Sequence, residues 1–311
     1  MNDMPALVIV GASGFLGSAL IKQGQLPMRV KAVARALPPD AQSCRGGITW
    51  HTVNLLNAES FTEILNPGDI VVNLAFISNS NADENIRLID NIVAACVQAR
   101  VARLLHCSTA VVAGAAKSVR ILESTACYPS TRYERTKLAV ELRLDAARTK
   151  GVDVGILRPT AIVGFGGQNL LSLVNALQSG MRVTNYLRAS IFGKRHMHLV
   201  PVRNVTAAAL HLALLPSPLG GNAYIVSADD DPVNNFQSIE RILTESLGLK
   251  PRNMPLIPVP RLALEIILGL RGRSDRNCDR IYDSAKLLGT DFHPPDSVER
   301  AVFELGAKLR Q

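Results

Sequence analysis

The chain has 311 residues, 47% hydrophobic and 19% charged, enough apolar material to bury a sizeable core as one large domain or as two parts sharing an interface. Lys and Arg number 34 against 26 Asp and Glu; the formal charge of +8 suits an anionic partner, but dispersed basic residues and 5% aromatics argue against nucleic acid. No stretch approaches the roughly 18 uninterrupted apolar residues of a spanning helix, and Cys44, Cys96, Cys107, Cys127 and Cys278 show no spacing for a disulfide framework or zinc site, so a soluble cytoplasmic protein with reduced thiols is expected.

The first element is "ALVIVGASGFLG" (6–17), a β-favouring run ending in Gly11, Gly14 and Gly17 and passing into helical "SALIKQG" (18–24). A glycine turn between a strand and a helix lets backbone approach a pyrophosphate, while the helix tip offers free N–H groups and positive partial charge. A bare tight turn is the alternative; strand before and helix after favour dinucleotide binding. The second strand, in "RVKAVA" (29–34), is followed by Arg35. Enzymes that take the non-phosphorylated cofactor usually carry Asp or Glu there; a guanidinium pairs instead with a 2′-phosphate, which favours NADP(H) over NAD(H).

Further strands are expected in "DIVVNLA" (69–75), "ARLLHCS" (102–108) and "DVGILRP" (153–159), with helices in "ENIRLIDNIVAACVQAR" (84–100) and "YERTKLAVELRLDAARTKG" (133–151). Strands alternating with helices imply an α/β fold with a doubly wound parallel sheet of Rossmann type. After Pro159 the pattern loosens into glycine- and proline-rich stretches and shorter elements, expected to build a smaller C-terminal substrate-binding lobe. The division expected is 1–160 for dinucleotide binding and 161–311 mainly for substrate, with some segments returning to the Rossmann part. The most apolar window, 256–270, contains Pro258, Pro260, Arg261 and Glu265 and reads as a buried or amphipathic helix.

Tyr133 and Lys137 lie four apart on one expected helix, hence on one face. A tyrosine ionises near pH 10, and a nearby ammonium and the positive nicotinamide ring stabilise the phenolate and lower that value, which would fit the pair for acid–base work. His196 and His198 alternate with Met197 and Leu199, a strand pattern that puts both imidazoles on one face; with no carboxylate or cysteine near them in sequence, a structural role is favoured over a metal pair.

Taken together, "GASGFLG" (11–17), "NLAF" (73–76), Asn85, "CSTAVVAG" (107–114), "YPSTRYERTK" (128–137), "LRPTAIVG" (157–164), "RHMHLVPVRNV" (195–205) and "YDSAKLLG" (282–289) resemble, in order and spacing, the extended short-chain dehydrogenase/reductase superfamily of sugar-nucleotide epimerases, dehydratases and reductases. Departures are Ala113 for a usual aromatic, Asn54 for an adenine-binding aspartate and Ala161 for a substrate-side asparagine. The resemblance implies a catalytic set of Thr109, Tyr133 and Lys137, with Ser108 as the neighbouring candidate for the hydroxyl role. It implies a cofactor site of Gly11, Ser13, Gly14, Phe15, Leu16, Gly17, Arg35, Asn54, Leu55, Leu74, Ala75, Phe76, Tyr133, Lys137 and Pro159. On the substrate side it implies Thr109 and Asn169, with Arg195 and Arg273 gripping a diphosphate. A nucleotide-sugar 4-ketoreductase or C4 epimerase, without metal and working as a homodimer, is the function expected. Two alternatives stand beside it: an NADPH-dependent reductase of apolar ketones, and a non-catalytic NADP-sensing regulator.

Overall fold

The run Leu7–Val10 is completely buried, as a strand covered on both faces must be, and forms β1, an interior strand of a parallel sheet. The structure, a computed structural model, describes residues 4–23, 26–39, 41, 47–78, 81–252 and 280–310. The 256–270 window, Cys44, Cys278 and Arg273 therefore lie outside the described residues. Along the chain come α1 (Phe15–Lys22), β2 (Val30–Ala34), β3 (Ile48–Thr52), α2 (Ala58–Thr62), β4 (Ile70–Asn73), α3 (Ala82–Gln98) and β5 (Arg103–Cys107). They are followed by β6 (Arg120–Ile121), α4 (Arg132–Arg143), α5 (Asp145–Arg148) and β7 (Asp153–Pro159).

The sheet has seven strands in the order β10-β7-β5-β4-β1-β2-β3, with β10 spanning Ala223–Val226. β1 pairs in parallel with β2 through Val8↔Lys31 and with β4 through Val8↔Val71, so the strand order reverses between β1 and β4. In doubly wound sheets that reversal opens a crevice at the carboxyl ends, where ligands bind. β3 and β10 are additions to the strands expected from sequence. "ITWHT" is only half-buried and lacks an apolar run, and "AYIV" is four residues long behind a glycine turn.

The chain forms two compact units. The first comprises Met1–Val112, Thr131–Arg158 and Thr206–Tyr224; its core includes Val8, Val33, Ile89, Ile92, Leu104, Val140 and Val154. The second comprises Ala113–Ser130, Pro159–Val205 and Ile225–Gln311. Within it, β8 (Ala161–Val163) pairs in parallel with β9 (Leu199–Pro201), and β6 pairs with β11 (Ile281–Tyr282). Helices α6 (Leu171–Gln178), α7 (Arg182–Phe192), α9 (Phe236–Ser246) and the C-terminal helix Val298–Leu309 supply a second core of Leu173, Ile239, Leu243, Val302 and Leu305. Helix α8 (Val202–Leu214) begins in this unit and ends in the first. No helix among the described residues is long and apolar enough to cross a membrane.

Candidate active site

In the first unit, Gly11 leaves β1 with φ +81, a left-handed conformation that suits glycine, and its N–H donates to Val33 O at 3.0 Å. A Cβ on Gly11 would meet Ala75 N at 2.9 Å, and one on Gly17 would meet Gly11 O at 2.3 Å. The glycines therefore let the turn lie against the end of β4 and let α1 start directly on the turn. Gly14 is the N-cap of α1, so no side chain caps the helix tip; Ser13 and Gly14 are exposed, and Phe15 and Leu16 partly buried. An open helix N-terminus of this kind attracts anions.

The other expected cofactor residues stand at neighbouring strand ends. Arg35 follows β2 and is exposed. Asn54, past β3, is exposed and its Oδ1 accepts from the Leu56 N–H, while Leu55 O accepts from Asn91 Nδ2 at 3.0 Å. Leu74, Ala75 and Phe76 follow β4, with Leu74 N–H donating to Val10 O. Pro159 is the buried last residue of β7 and belongs to the second unit.

Helix α4 begins where a capping box sets it: Thr131 Oγ1 accepts from the Glu134 N–H, and Glu134 Oε2 accepts from the Thr131 N–H, each at 3.2 Å. That start puts Tyr133 in the first turn and Lys137 one turn on, 95% buried. Lys137 Nζ donates to Cys107 O at 3.2 Å, lies 4.2 Å from the centre of the Phe76 ring and 6.0 Å from that of Tyr133. Phe76 meets Tyr133 edge-on, with centroids 5.5 Å apart and planes at 85°. Thr109, a buried residue just past β5, lies beside the Tyr133 hydroxyl and favours its ionised form. Ser108 is also buried, and its hydroxyl has no protein partner among the described residues.

The electrostatics of this group differ from the sequence-based expectation. Tyr133 retains 46% of its surface, yet burial of its hydroxyl end outweighs the opposing influence of Thr109 and pushes the phenol up to about 12. Lys137 does not pull it down here, because its hydrogen bond goes to Cys107 and its charge faces Phe76. Burial holds Lys137 below the ordinary lysine range, opposed by Cys107 and Glu141, and raises the Cys107 thiol. His106 on β5 is held down to about 3 by burial and then by Lys137; its Nδ1 lies 3.0 Å from Asn73 Nδ2, and Asn73 Oδ1 accepts from the Ala75 N–H.

Several supporting residues lay beyond the sequence reading. Glu141, four past Lys137, pairs with Arg158 of β7 in two buried bonds of 3.1 and 2.6 Å. Its spacing from Lys137 was visible; its partner was not. In the second unit, Asn169 is exposed and spends its amide on Ile162 O at 2.8 Å, which ties its loop to β8. Arg195 lines a cavity of about 250 Å³ with Leu170, Ser172, Leu173, Arg188, Phe192, Met197 and Phe236. Arg188 carried no motif that would single it out. His198 is not part of a strand: its φ is +53 and its Nδ1 lies 2.7 Å from the buried Asp229 carboxylate, a partner 31 residues away. His196 stacks on His198 at 5.9 Å, and among the described residues no three His, Cys, Asp or Glu are grouped to hold a metal. Among the described residues, Cys96, Cys107 and Cys127 form no disulfide.

A family model described as the NAD dependent epimerase/dehydratase family matches residues 7–216. The human protein Short-chain dehydrogenase/reductase family 42E member 1 is 26% identical over 351 aligned positions, covering 99% of this chain and 85% of the relative. Among solved structures, UDP-N-acetylglucosamine 4-epimerase from Bacillus cereus superposes with a TM-score of 0.67 at 18% identity, covering 99% of this chain and all of that one. UDP-glucuronic acid 4-epimerase from the same species, in complex with NAD, gives 0.73 at 15%, covering 98% and 97%. At these identities the two structures speak for the fold. With the fold and the match agreeing, the chain belongs to the NAD dependent epimerase/dehydratase family, among the extended short-chain dehydrogenases/reductases, and is an NAD(P)-dependent enzyme.

Proposed function

We propose that the chain is an NADP(H)-dependent oxidoreductase of a nucleotide-activated sugar, acting at C4 as a ketoreductase in preference to an epimerase. The observation that carries this reading is the placement of Tyr133 and the buried Lys137 one turn apart on α4, with Nζ 6.0 Å from the Tyr133 ring and Thr109 beside the hydroxyl. The residues fit a nicotinamide dinucleotide: no side chain caps the α1 tip at the Gly11–Gly17 turn, and Arg35 stands exposed where a 2′-phosphate would be read. Asn54, Leu55 and Leu74 to Phe76 line the neighbouring strand ends, and Lys137 would hold the nicotinamide ribose.

When bound, the cofactor supplies a hydride to the sugar carbon or removes one from it. Thr109 donates its hydroxyl hydrogen to the reacting oxygen and orients it. Tyr133 transfers the proton. A phenol near 12 is protonated at neutral pH, which makes it a donor and suits reduction of a ketone. Oxidation, the first half of an epimerisation, would need that value lowered by positive charge.

For the substrate we assign the nucleotide to the second unit, whose cavity joins Arg188 and Arg195 to the rings of Phe192 and Phe236. Guanidinium groups pair with phosphate and aromatic faces receive a base. The apolar walls of that cavity also support the second reading, reduction of an apolar ketone, which has no use for two arginines. Competition separates them. UDP, GDP or dTDP should bind to the parent, and Arg188→Ala or Arg195→Ala should weaken that binding by about tenfold or more, the scale of a charge-assisted hydrogen bond. No binding of any of the three at millimolar concentration overturns the nucleotide-sugar reading. A homodimer belongs to the same proposal and is checked by light scattering.

A further inference from the structure

Phe76 stands outside the Tyr133–Lys137 motif yet touches both of its members. The residues on either side of it are pinned by side chains of two elements: Asn73 of β4 accepts from the Ala75 N–H, and Asn85 of α3 both accepts from the Ile77 N–H and donates to Ile77 O, each at 3.0 Å. The ring is thus delivered to a defined place, its face 4.2 Å from Lys137 Nζ and its edge relation to Tyr133 at 5.5 Å and 85°. Lys137 keeps 5% of its surface, so its side chain has given up most of its water. The electron-rich face of an aromatic ring restores part of that lost stabilisation to the cation and none to the neutral amine.

We propose that Phe76 is a positioning residue of this centre: its ring seats the Lys137 ammonium, keeps it charged, and fixes it relative to the Tyr133 phenol. Its significance for catalysis rests on the function proposed above. The groups that face Lys137 are His106 and Cys107 from β5, Tyr133 and Glu141 from α4, and Arg158 from β7 through its pair with Glu141. The loop Leu74–Ile77 itself brings no titratable side chain, so its influence on the lysine comes through the ring.

The test is NMR of lysine ε-methylene groups in the full chain, carrying carbon-13-labelled lysine and no added ligand, with Lys137 assigned by Lys137→Arg. In the parent, the Lys137 signal should lie upfield because of the Phe76 ring current. In Phe76→Leu, which keeps most of the volume and loses the ring, that displacement should vanish and the titration midpoint of Lys137 should fall by about 0.4 to 1.5 pH units, the span of a cation–π contact. Phe76→Tyr should keep both features. Phe76→Met, a second non-aromatic side chain, carries the same expectation as Leu. A folded Leu or Met variant with the parent signal and midpoint overturns the proposal. It would leave the Tyr133 relay standing, because that is judged by turnover of Tyr133→Phe.

Discussion

The turn at Gly11–Gly17 and the cavity around Arg188 and Arg195 are built in opposite ways. In the turn every constraint is local: a positive φ, an uncapped helix tip and two close approaches sit within seven residues and the strand end beside them. The cavity draws its lining from the start of α6, from α7, from the segment before β9 and from the start of α9. A dinucleotide site of the first kind changes little with the substrate, because the phosphate is held by backbone. A site of the second kind is defined by side chains and can be altered one residue at a time. Under the function proposed above, what the family shares belongs to the first, and substrate choice to the second.

Perturbing the frame that holds the chemistry should give the largest effects. Glu141→Ala leaves Arg158 buried without its carboxylate, which typically costs about 3–5 kcal/mol; a denaturant melt should show it, whereas exposed pairs such as Arg241–Glu245 should matter little when broken. Gly17→Ala places a methyl group against the backbone of Gly11 and Ala12 and should cost about 1–3 kcal/mol while weakening both NADPH and NADH. Calorimetry and cofactor titration check this, and unchanged values would dismiss the close-approach explanation of that glycine.

Arg35→Ala sharpens the comparison on the cofactor side. Losing a charge-assisted contact should weaken NADPH by about 1.5–3 kcal/mol and leave NADH nearly unchanged; equal losses for both would remove Arg35 from the 2′-phosphate. A subtler effect concerns pH. His106 is buried with its pKa lowered to about 3, so the unfolded chain binds the extra proton first as pH falls. Its contribution to stability is therefore present above about 6.5 and is lost as pH drops towards 3, by at most about 1.4 kcal/mol per unit. His106→Asn should flatten that limb of the stability profile relative to the parent.

The same contrast explains what could be read from the sequence. "ALVIVGASGFLG" announced β1, the turn and α1, because strand, glycines and helix are neighbours in the chain. The face shared by Tyr133 and Lys137 followed from helical spacing, and the capping box at Thr131 and Glu134 sets it. What spacing could not supply was the direction of each charge: Lys137 faces Phe76 and Cys107, contacts made across 61 and 30 residues. Arg188 was illegible for the same reason, one arginine among 34 basic residues until folding puts it on the wall that Arg195 shares. β3 escaped because an edge strand with half-buried positions carries little apolar pattern.

The most direct measurement is single-turnover hydride transfer from NADPH to a nucleotide-linked 4-keto-sugar, comparing the parent with Tyr133→Phe. Only the hydroxyl is removed, so cofactor affinity should hold while the rate falls by about 10² to 10⁴, the usual worth of a general acid. A Phe variant as fast as the parent, or a parent that ignores nucleotide keto-sugars and reduces an apolar ketone, would contradict it.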